Sequence, residues 1–216
     1  MDNLIKKVVE NLKANNMVPY VVEKKDDIIP LLKTLLPEGI SVGVGGSATL
    51  NEIDAIQFLR EGNYKFFDRY AEGLTRPEAV EVMRNSLLAD AFITSSNAIT
   101  EKGELYNVDG NGNRVAALCF GPKEVIVVVG VNKIVKDLTA AEERVKTIAA
   151  PKNCQRLLID SPCSKTGECA SMKMENREMC DGCKIDSRIC STYVLTGFQR
   201  IKDRIKVIIC KENMGY

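Results

Sequence analysis

The sequence predicts an α/β protein with a mainly parallel sheet flanked by helices, an antiparallel hairpin insertion and a small Cys-rich C-terminal lobe. Three observations lead to this class. Helical and strand patterns alternate through the first hundred residues, a nearly uninterrupted apolar run occupies 125–131, and six of the eight Cys lie between Cys154 and Cys190. We place the boundary at residue 150, between an α/β body (1–150) and the Cys-rich lobe (151–216).

Elements in the first hundred residues are assigned from apolar spacing and from start and stop signals. Apolar residues spaced three and four apart predict four helices. Start and stop signals support three of them: aspartates precede the second helix, Gly62 follows the third, and Pro77 lies in the first turn of the fourth. The helices are expected at 4–12, 27–36, 48–59 and 77–88. Short apolar runs between them predict strands at 18–22, 40–44, 64–67 and 91–94.

The pattern changes after residue 98. Antiparallel strands are expected at Ile99, Glu104–Val108 and Arg114–Phe120. The turn Asp109–Asn113 would join the last two, because Asp-Gly and Asn-Gly favour hairpins. The apolar run Val125–Val131 predicts a central parallel strand. A helix follows at 140–149, and 204–209 is expected to return to the sheet as the last strand.

Composition excludes several functions. The 216 residues contain no His, which excludes the Ser-His-Asp triad, Cys-His catalysis and His-ligated metal sites. A net charge of +1 gives no electrostatic case for nucleic acid or an anionic membrane as partner. The first 17 residues lack the apolar stretch of a signal peptide, and no apolar run suits a membrane span. We therefore expect a cytoplasmic protein.

The loop after the second strand has the composition of an anion site. Gly45, Gly46 and Ser47 lie between a strand and a helix, where glycines let the backbone approach a ligand and the helix offers free N–H groups. Gly43, Gly45 and Ala48 also satisfy a dinucleotide fingerprint, with Asp68 as the acid for the ribose, although this loop follows the second strand. A phosphate or carboxylate cradle, a nicotinamide site and a purely structural turn all remain open.

Further polar side chains follow other strands. Asn97 follows the strand at 91–94, where open α/β sheets place ligands, and Asn132 and Lys133 end the apolar strand. Amides and a guanidinium in the predicted hairpin turn, at Asn111, Asn113 and Arg114, can orient a small polar ligand. Each of these segments also has a simpler interpretation, as a turn or a solvated end of a strand.

The Cys spacing favours a metal centre in the lobe. The candidate ligands are Cys163, Cys169, Cys180, Cys183 and Cys190, which include one CxxC pair and exceed by one the four that zinc or a [4Fe–4S] cluster needs. We expect a [4Fe–4S] cluster, with zinc or reduced structural thiols as alternatives. Cys154 is undecided, and Cys119 and Cys210 are expected as small core residues of apolar strands.

Five segments in order resemble the LUD (lactate-utilisation) domain of LutC/YkgG-like proteins. They are Gly43–Leu50, Ser96–Thr100, Asn107–Ala116, Phe120–Lys123 and Val129–Val135. The resemblance implies a fold related to the NagB/RpiA and CoA-transferase superfamily, and a connection with oxidation of lactate to pyruvate alongside Fe–S proteins. It also implies a Cys-rich ending of the pattern C-x5-C-x2-C-x6-C. About eleven extra residues leave Cys169 and Cys180 competing for one ligand position.

Three hypotheses of function follow. In the first, the chain binds a small 2-hydroxy or 2-oxo acid at the polar loops, with Glu52 or Asp109 as acid or base and a Cys-ligated cluster that carries electrons or holds the lobe. In the second, it is a redox-inert isomerase or CoA-transferase-like enzyme acting on a phosphorylated or CoA-linked substrate, with Glu52 or Glu104 as nucleophile and structural zinc. In the third, it is a non-catalytic subunit of an Fe–S oxidoreductase complex. Fe–S subunits and a second copy of the chain are the candidate protein partners.

Overall fold

The computed structural model describes residues 1–216, and its centre is a six-stranded sheet in which every pairing is parallel. The strands are β1 (Val18–Val22), β2 (Ser41–Val44), β3 (Lys65–Phe67), β4 (Ala91–Thr94), β7 (Glu124–Gly130) and β10 (Ile205–Cys210), in the spatial order β1-β10-β7-β4-β2-β3. The central strands are buried on both faces, which explains their continuous Val and Ile runs.

A second sheet of four strands stands beside the first. Its strands are β5 (Ala98–Thr100), β6 (Leu105–Asp109), β8 (Ile134–Val135) and β9 (Thr192–Thr196), in the order β8-β5-β6-β9. β6 pairs antiparallel with β5 and β9, whereas β8 runs parallel to β5. The antiparallel hairpin predicted near residue 100 is therefore the middle of a separate mixed sheet.

Helices cover both faces of the large sheet. They are α1 (Asp2–Ala14), α2 (Ile28–Leu35), α3 (Ala48–Glu52), α4 (Ala55–Glu61), α5 (Arg76–Asn85), α6 (Asn113–Cys119), α7 (Leu138–Arg144), α8 (Ala150–Arg156) and α9 (Pro162–Thr166). One core contains the apolar residues of α2, α3 and α4, and the other contains Ile5, Val8 and Leu12 of α1. No helix is long and apolar enough to cross a membrane.

Three sequence expectations are wrong. Arg114–Phe120 is not a strand, because Asn113–Cys119 forms α6, and Asp109–Asn113 joins a strand to that helix, with Gly112 at φ +78°. Cys119 consequently lies exposed at a helix end and is not a core residue, whereas Cys210 is buried in β10 as expected. The helix expected at 48–59 is two helices, because Asp54 adopts a left-handed conformation at φ +52°.

The chain after residue 150 contributes to both sheets. β9 pairs with β6, and β10 lies between β1 and β7, so the last strand returns to the sheet as predicted. The Cys-containing residues 157–191 form only the short helix α9, one 3-10 turn at Ala170–Lys173, and loops. This segment is called the Cys segment below.

Candidate functional site

The predicted polar loops meet at one edge of the large sheet. Gly45–Ser47 follow β2, Ser95–Asn97 follow β4, and Val131–Lys133 follow β7, and these strands are parallel neighbours in the order β7-β4-β2. Their carboxyl ends therefore open on the same crevice. The backbone of Gly45 lies close to two of the neighbouring segments, since a Cβ on this residue would lie 2.7 Å from Thr94 Oγ1 and 3.0 Å from Arg114 Cγ.

Lys133 is the buried cation of this crevice. Its side chain is only 3% exposed, and Nζ donates hydrogen bonds to Thr49 Oγ1 at 2.8 Å and to Ser95 Oγ at 3.0 Å. No carboxylate forms an ion pair with it. Burial, and then the charges of Arg144 and Arg114, lower the pKa of Lys133 to about 7, against a weaker opposing effect of Glu52.

Arg144 is a second buried cation that the sequence did not single out. It is 7% exposed at the end of α7, where Nε donates to Asn132 O at 3.2 Å and Nη1 to Asn97 O at 2.8 Å. Its Nη2 donates no hydrogen bond, and no carboxylate pairs with it. The available signal was weak: the helical pattern at 140–149 places Arg144 close to the buried Ala141 and Val145.

The guanidinium of Arg114 bonds only to other groups of the protein. Its guanidinium contacts are Ser95 O and Asn107 Oδ1 from Nη1 (3.1 and 2.5 Å), Asn97 Oδ1 and Val108 O from Nη2 (both 2.9 Å), and Asp109 Oδ1 at 3.5 Å from Nε. These contacts occupy the five N–H groups of the side chain. Arg114 therefore joins β6 and α6 to the β4–β5 loop and has no donor left for a ligand.

The two predicted acids are also engaged. Asp109 Oδ2 accepts the backbone N–H of Arg114 at 3.1 Å, at the start of α6. Both oxygens of Glu52 accept the N–H of Gly215, at 3.1 and 3.0 Å. Glu104, the other candidate nucleophile, accepts a hydrogen bond from Thr100 Oγ1 at 2.7 Å in the second sheet.

Residues 212–216, which we call the closing segment, cover the crevice. Asn132 accepts the Met214 N–H at 3.0 Å and donates weakly to Met214 O and Gly215 O, each at 3.4 Å. A Cβ on Gly215 would lie 2.5 Å from Thr49 Oγ1 and 3.3 Å from Lys133 Nζ. The backbone of Gly215 therefore lies against the Lys133 ammonium.

The remaining candidates lie at the margin of this site. Gly46 is exposed, and Ser47 caps α3 by accepting the Leu50 N–H at 3.3 Å. Asn111 is exposed in the loop before α6, and Asn113 is half-buried in the first turn of that helix. Asp68, the candidate ribose ligand, accepts a hydrogen bond from Arg60 Nε at 2.7 Å.

The Cys segment surrounds a small cavity. Cys163, Cys169, Cys183 and Cys190 line it together with Lys146 and Tyr193, and its free volume is about 20 Å³. Lys146 reaches it from a π-helical turn, Val145–Ala149, between α7 and α8. Cys180 is exposed and does not line the cavity. The structure thus brings four of the five predicted metal ligands to one place.

The neighbouring thiols influence one another. Burial, and then Cys190 and Cys163, raise the pKa of the Cys183 thiol. Cys154, buried in α8, has its Sγ 3.7 Å from the Sγ of Cys163, and burial raises its pKa to about 11. As they stand, no three Cys, Asp or Glu side chains are arranged closely enough to hold one metal ion.

Two cations accompany these thiols. Lys146 is 3% exposed and donates to Ser171 Oγ at 2.9 Å and Asp181 O at 2.8 Å, with Glu142 3.6 Å away. Arg188 donates from Nε to Cys190 O at 2.9 Å and to Cys190 Sγ at 3.4 Å. Their positive charges would balance part of the charge of a set of thiolates.

The comparisons agree with this architecture. A family model described as LUD domain matches residues 5–210. The crystal structure of a DUF162 family protein from Deinococcus radiodurans is similar over 97% of both chains, with a TM-score of 0.53 and 15% sequence identity, which indicates a shared fold. No curated protein matches the sequence.

Proposed function

The chain belongs to the LUD domain family, and from this premise we propose that it is a metabolic protein of the lactate-utilisation type that binds a small 2-hydroxy or 2-oxo acid. The observation that carries the proposal is the pair of buried cations, Lys133 and Arg144, neither of which has a carboxylate partner. Burying an uncompensated charge is unfavourable, and a bound anion removes that penalty. The crevice at the ends of β2, β4 and β7 therefore suits a carboxylate.

Each side chain has a role in this proposal. The unused Nη2 donors of Arg144 and the ammonium of Lys133 hold the carboxylate, because charge-assisted hydrogen bonds are the strongest available. Ser95 and Thr49 orient Lys133, and Arg114 acts as a positioning residue that fixes Asn97 and Ser95. Since Gly215 lies against Lys133, a ligand enters only when the closing segment moves.

Calorimetric titration with pyruvate and with lactate tests the acid site. We expect binding by the native chain, and a loss of affinity of about tenfold or more in Lys133→Met and in Arg144→Met, because each removes one charged partner. Lys123→Met is the matched control, since Lys123 is exposed and pairs only with Asp90. Unchanged affinity in both crevice variants would refute the site. Tighter binding of inorganic phosphate than of either acid would favour a phosphorylated substrate.

We further propose a metal centre on the four thiols of the cavity: Cys163, Cys169, Cys183 and Cys190. These residues fit such a group chemically, because they supply only sulfur ligands and lie with Lys146 and Arg188, which offset thiolate charge. A [4Fe–4S] cluster would supply electron transfer, and zinc would act structurally. The four thiols do not surround one point closely enough to hold an ion, so binding of zinc or of a cluster requires the Cys segment to rearrange, which its loops permit.

Metal analysis and a visible spectrum of anaerobically purified protein test this centre. We expect one centre per chain, retained in Cys180→Ser and lost in Cys169→Ser, because only Cys169 of these two lines the cavity. Absorbance near 400 nm would identify the cluster, and a colourless protein with one zinc the alternative. Loss of metal in Cys180→Ser but not in Cys169→Ser would contradict the ligand set.

A further inference from the structure

We propose that Cys154 and Cys163 form an oxidation site, at which a hydroperoxide joins the two thiols in a disulfide. Their sulfur atoms are 3.7 Å apart, and both side chains are buried, with exposed fractions of 3% and 7%. Cys154 belongs to none of the ligand positions proposed above. The site therefore gives a function to Cys154, whose sulfur lies beside that of Cys163.

The surrounding helices place the two sulfurs together. Cys154 lies in α8 and Cys163 in the first turn of α9, and these helices pack against each other. The cap of α9 holds Cys163, since Ser161 Oγ accepts the Ser164 N–H and lies 3.3 Å from Cys163 Sγ. A disulfide requires about 2.05 Å between the sulfurs, so they must approach by less than about 2 Å. The loop between the two helices, residues 157–161, can absorb that shift.

The chemistry balances with a hydroperoxide as the oxidant. One of the two thiols gives up its proton and its thiolate attacks the peroxide. The O–O bond breaks, and with hydrogen peroxide the products are a sulfenic acid and one water, because the leaving hydroxide takes up that proton. The second thiol then attacks the sulfenic sulfur, and a second water leaves. The two Cys lose two electrons and two protons in total, and the peroxide is reduced to two waters. Small peroxides reach such buried thiols more readily than bulky reagents.

The consequence for the cavity rests on the proposed metal centre. Cys163 cannot be a thiolate ligand and a disulfide partner at the same time. Oxidation would therefore remove one of four ligands, and the centre would lose its ion. In this arrangement Cys154 acts as a resolving thiol next to a ligand and couples occupancy of the centre to the peroxide level.

Peptide mapping tests the disulfide without reference to any metal. Trypsin releases Cys154 in the peptide Asn153–Arg156 and Cys163 in the peptide Leu157–Lys165. After treatment of the full chain with equimolar hydrogen peroxide and alkylation of free thiols, we expect these two peptides to be linked. The link should be absent in Cys154→Ser and Cys154→Ala and present in Cys119→Ser. Pairing of Cys163 with Cys169, Cys183 or Cys190 would overturn the proposal, as would an unlinked Cys154.

Zinc release tests the consequence separately. With zinc-loaded protein, equimolar peroxide should release the metal several-fold faster from the native chain than from Cys154→Ala, in step with the linked peptide. Equal release from both would overturn the coupling while leaving the disulfide intact. Failure of Cys154→Ala to bind zinc before oxidation would make Cys154 a ligand and would also overturn it. A native chain that binds no metal at all would refute the centre, and peptide mapping would still decide the oxidation site.

Discussion

At the scale of single residues, the molecule is distinguished by two buried cationic side chains that have no carboxylate partner. Lys133 and Arg144 are buried at one crevice, and their nearest partners are hydroxyl and carbonyl oxygens. Neutral acceptors compensate a buried charge only in part. The uncompensated cost of burying the ammonium disfavours the charged form of Lys133, which lowers its pKa. A proton and an acid anion should therefore bind to this crevice together.

The affinity for pyruvate should accordingly depend on pH. Lys133 in the free protein has a pKa of about 7, and a bound carboxylate raises it by favouring the ammonium. The affinity should change little below pH 7 and fall by up to about tenfold per pH unit above it, because binding then requires proton uptake.

Dissociation constants measured by calorimetry between pH 6 and pH 9 check this expectation. Lys133→Met, which has no titrating group at this position, serves as the control and should show weak binding without the fall above pH 7. Equal affinity of the native chain at pH 6 and pH 9 would show that Lys133 does not contact the anion.

Single residues were predictable where the topology alone decides their position. Lys133 and Asn97 follow buried parallel strands, so the sequence predicted their position at the carboxyl edge of the sheet. Arg114 and Glu52 were candidates of the same kind, but their polar atoms bond within the fold. Which donors remain free depends on packing between distant segments, and a sequence pattern does not carry that information. Arg144 was missed for this reason.

At the scale of elements, the closing segment is the part that lies against Lys133 and Asn132 in the crevice. It is anchored by Met214, which is 1% exposed in the core, and by the bonds of Gly215 to Glu52. Glu52 therefore has a structural contact that is separate from the acid–base role expected of it.

Replacing Glu52 should loosen this segment. In Glu52→Ala the Gly215 N–H loses its carboxylate acceptor, so its amide exchange should accelerate by about tenfold, given the usual worth of a charged hydrogen bond. Pyruvate should also associate faster. Hydrogen exchange and stopped-flow binding measure the two effects, and Glu143→Ala, at an exposed side chain without an ion pair, is the control. Unchanged exchange with a loss of turnover would instead support a catalytic Glu52.

Elements were predicted well where apolar periodicity is strong. The six strands of the large sheet and the helices α1, α2 and α5 lie close to their predicted positions. The prediction was wrong at α6 because Asp-Gly and Asn-Gly favour a hairpin. In the structure Gly112, at positive φ, precedes a helix, and Arg114 in its first turn donates a hydrogen bond to Val108 O in β6. The bonds of Arg114 to Val108, Asn107 and Ser95 outweigh the local turn preference there.

At the scale of the whole molecule, the buried apolar core is unevenly distributed along the chain. The large sheet has a core on each face, whereas the Cys segment has one five-residue helix and few buried apolar residues. The Cys pattern pointed to a metal centre, and it is the local packing that separates Cys169 from Cys180. Apolar burial therefore contributes little to the stability of the Cys segment, and the proposed metal centre would add to it.

Metal removal should therefore act locally. A chelator should raise amide exchange across residues 157–191 and lower the melting temperature by several degrees, because a ligand of the native state contributes directly to its stability. Exchange in β7 and β10 should stay slow. Cys169→Ser, measured without chelator, should reproduce the chelated state, and Cys180→Ser should not. Uniform acceleration over the whole chain would contradict a local role.

The position of β10 also constrains the order in which the large sheet can form. β10 lies between β1 and β7, so these two strands are joined only through a strand that follows the Cys segment in the sequence. Until Ile205–Cys210 is in place, β1 has no partner strand and one edge of β7 is unpaired. Pairing of β1 with β10 therefore closes a long loop of the chain, and contacts between such distant segments slow the folding of a sheet.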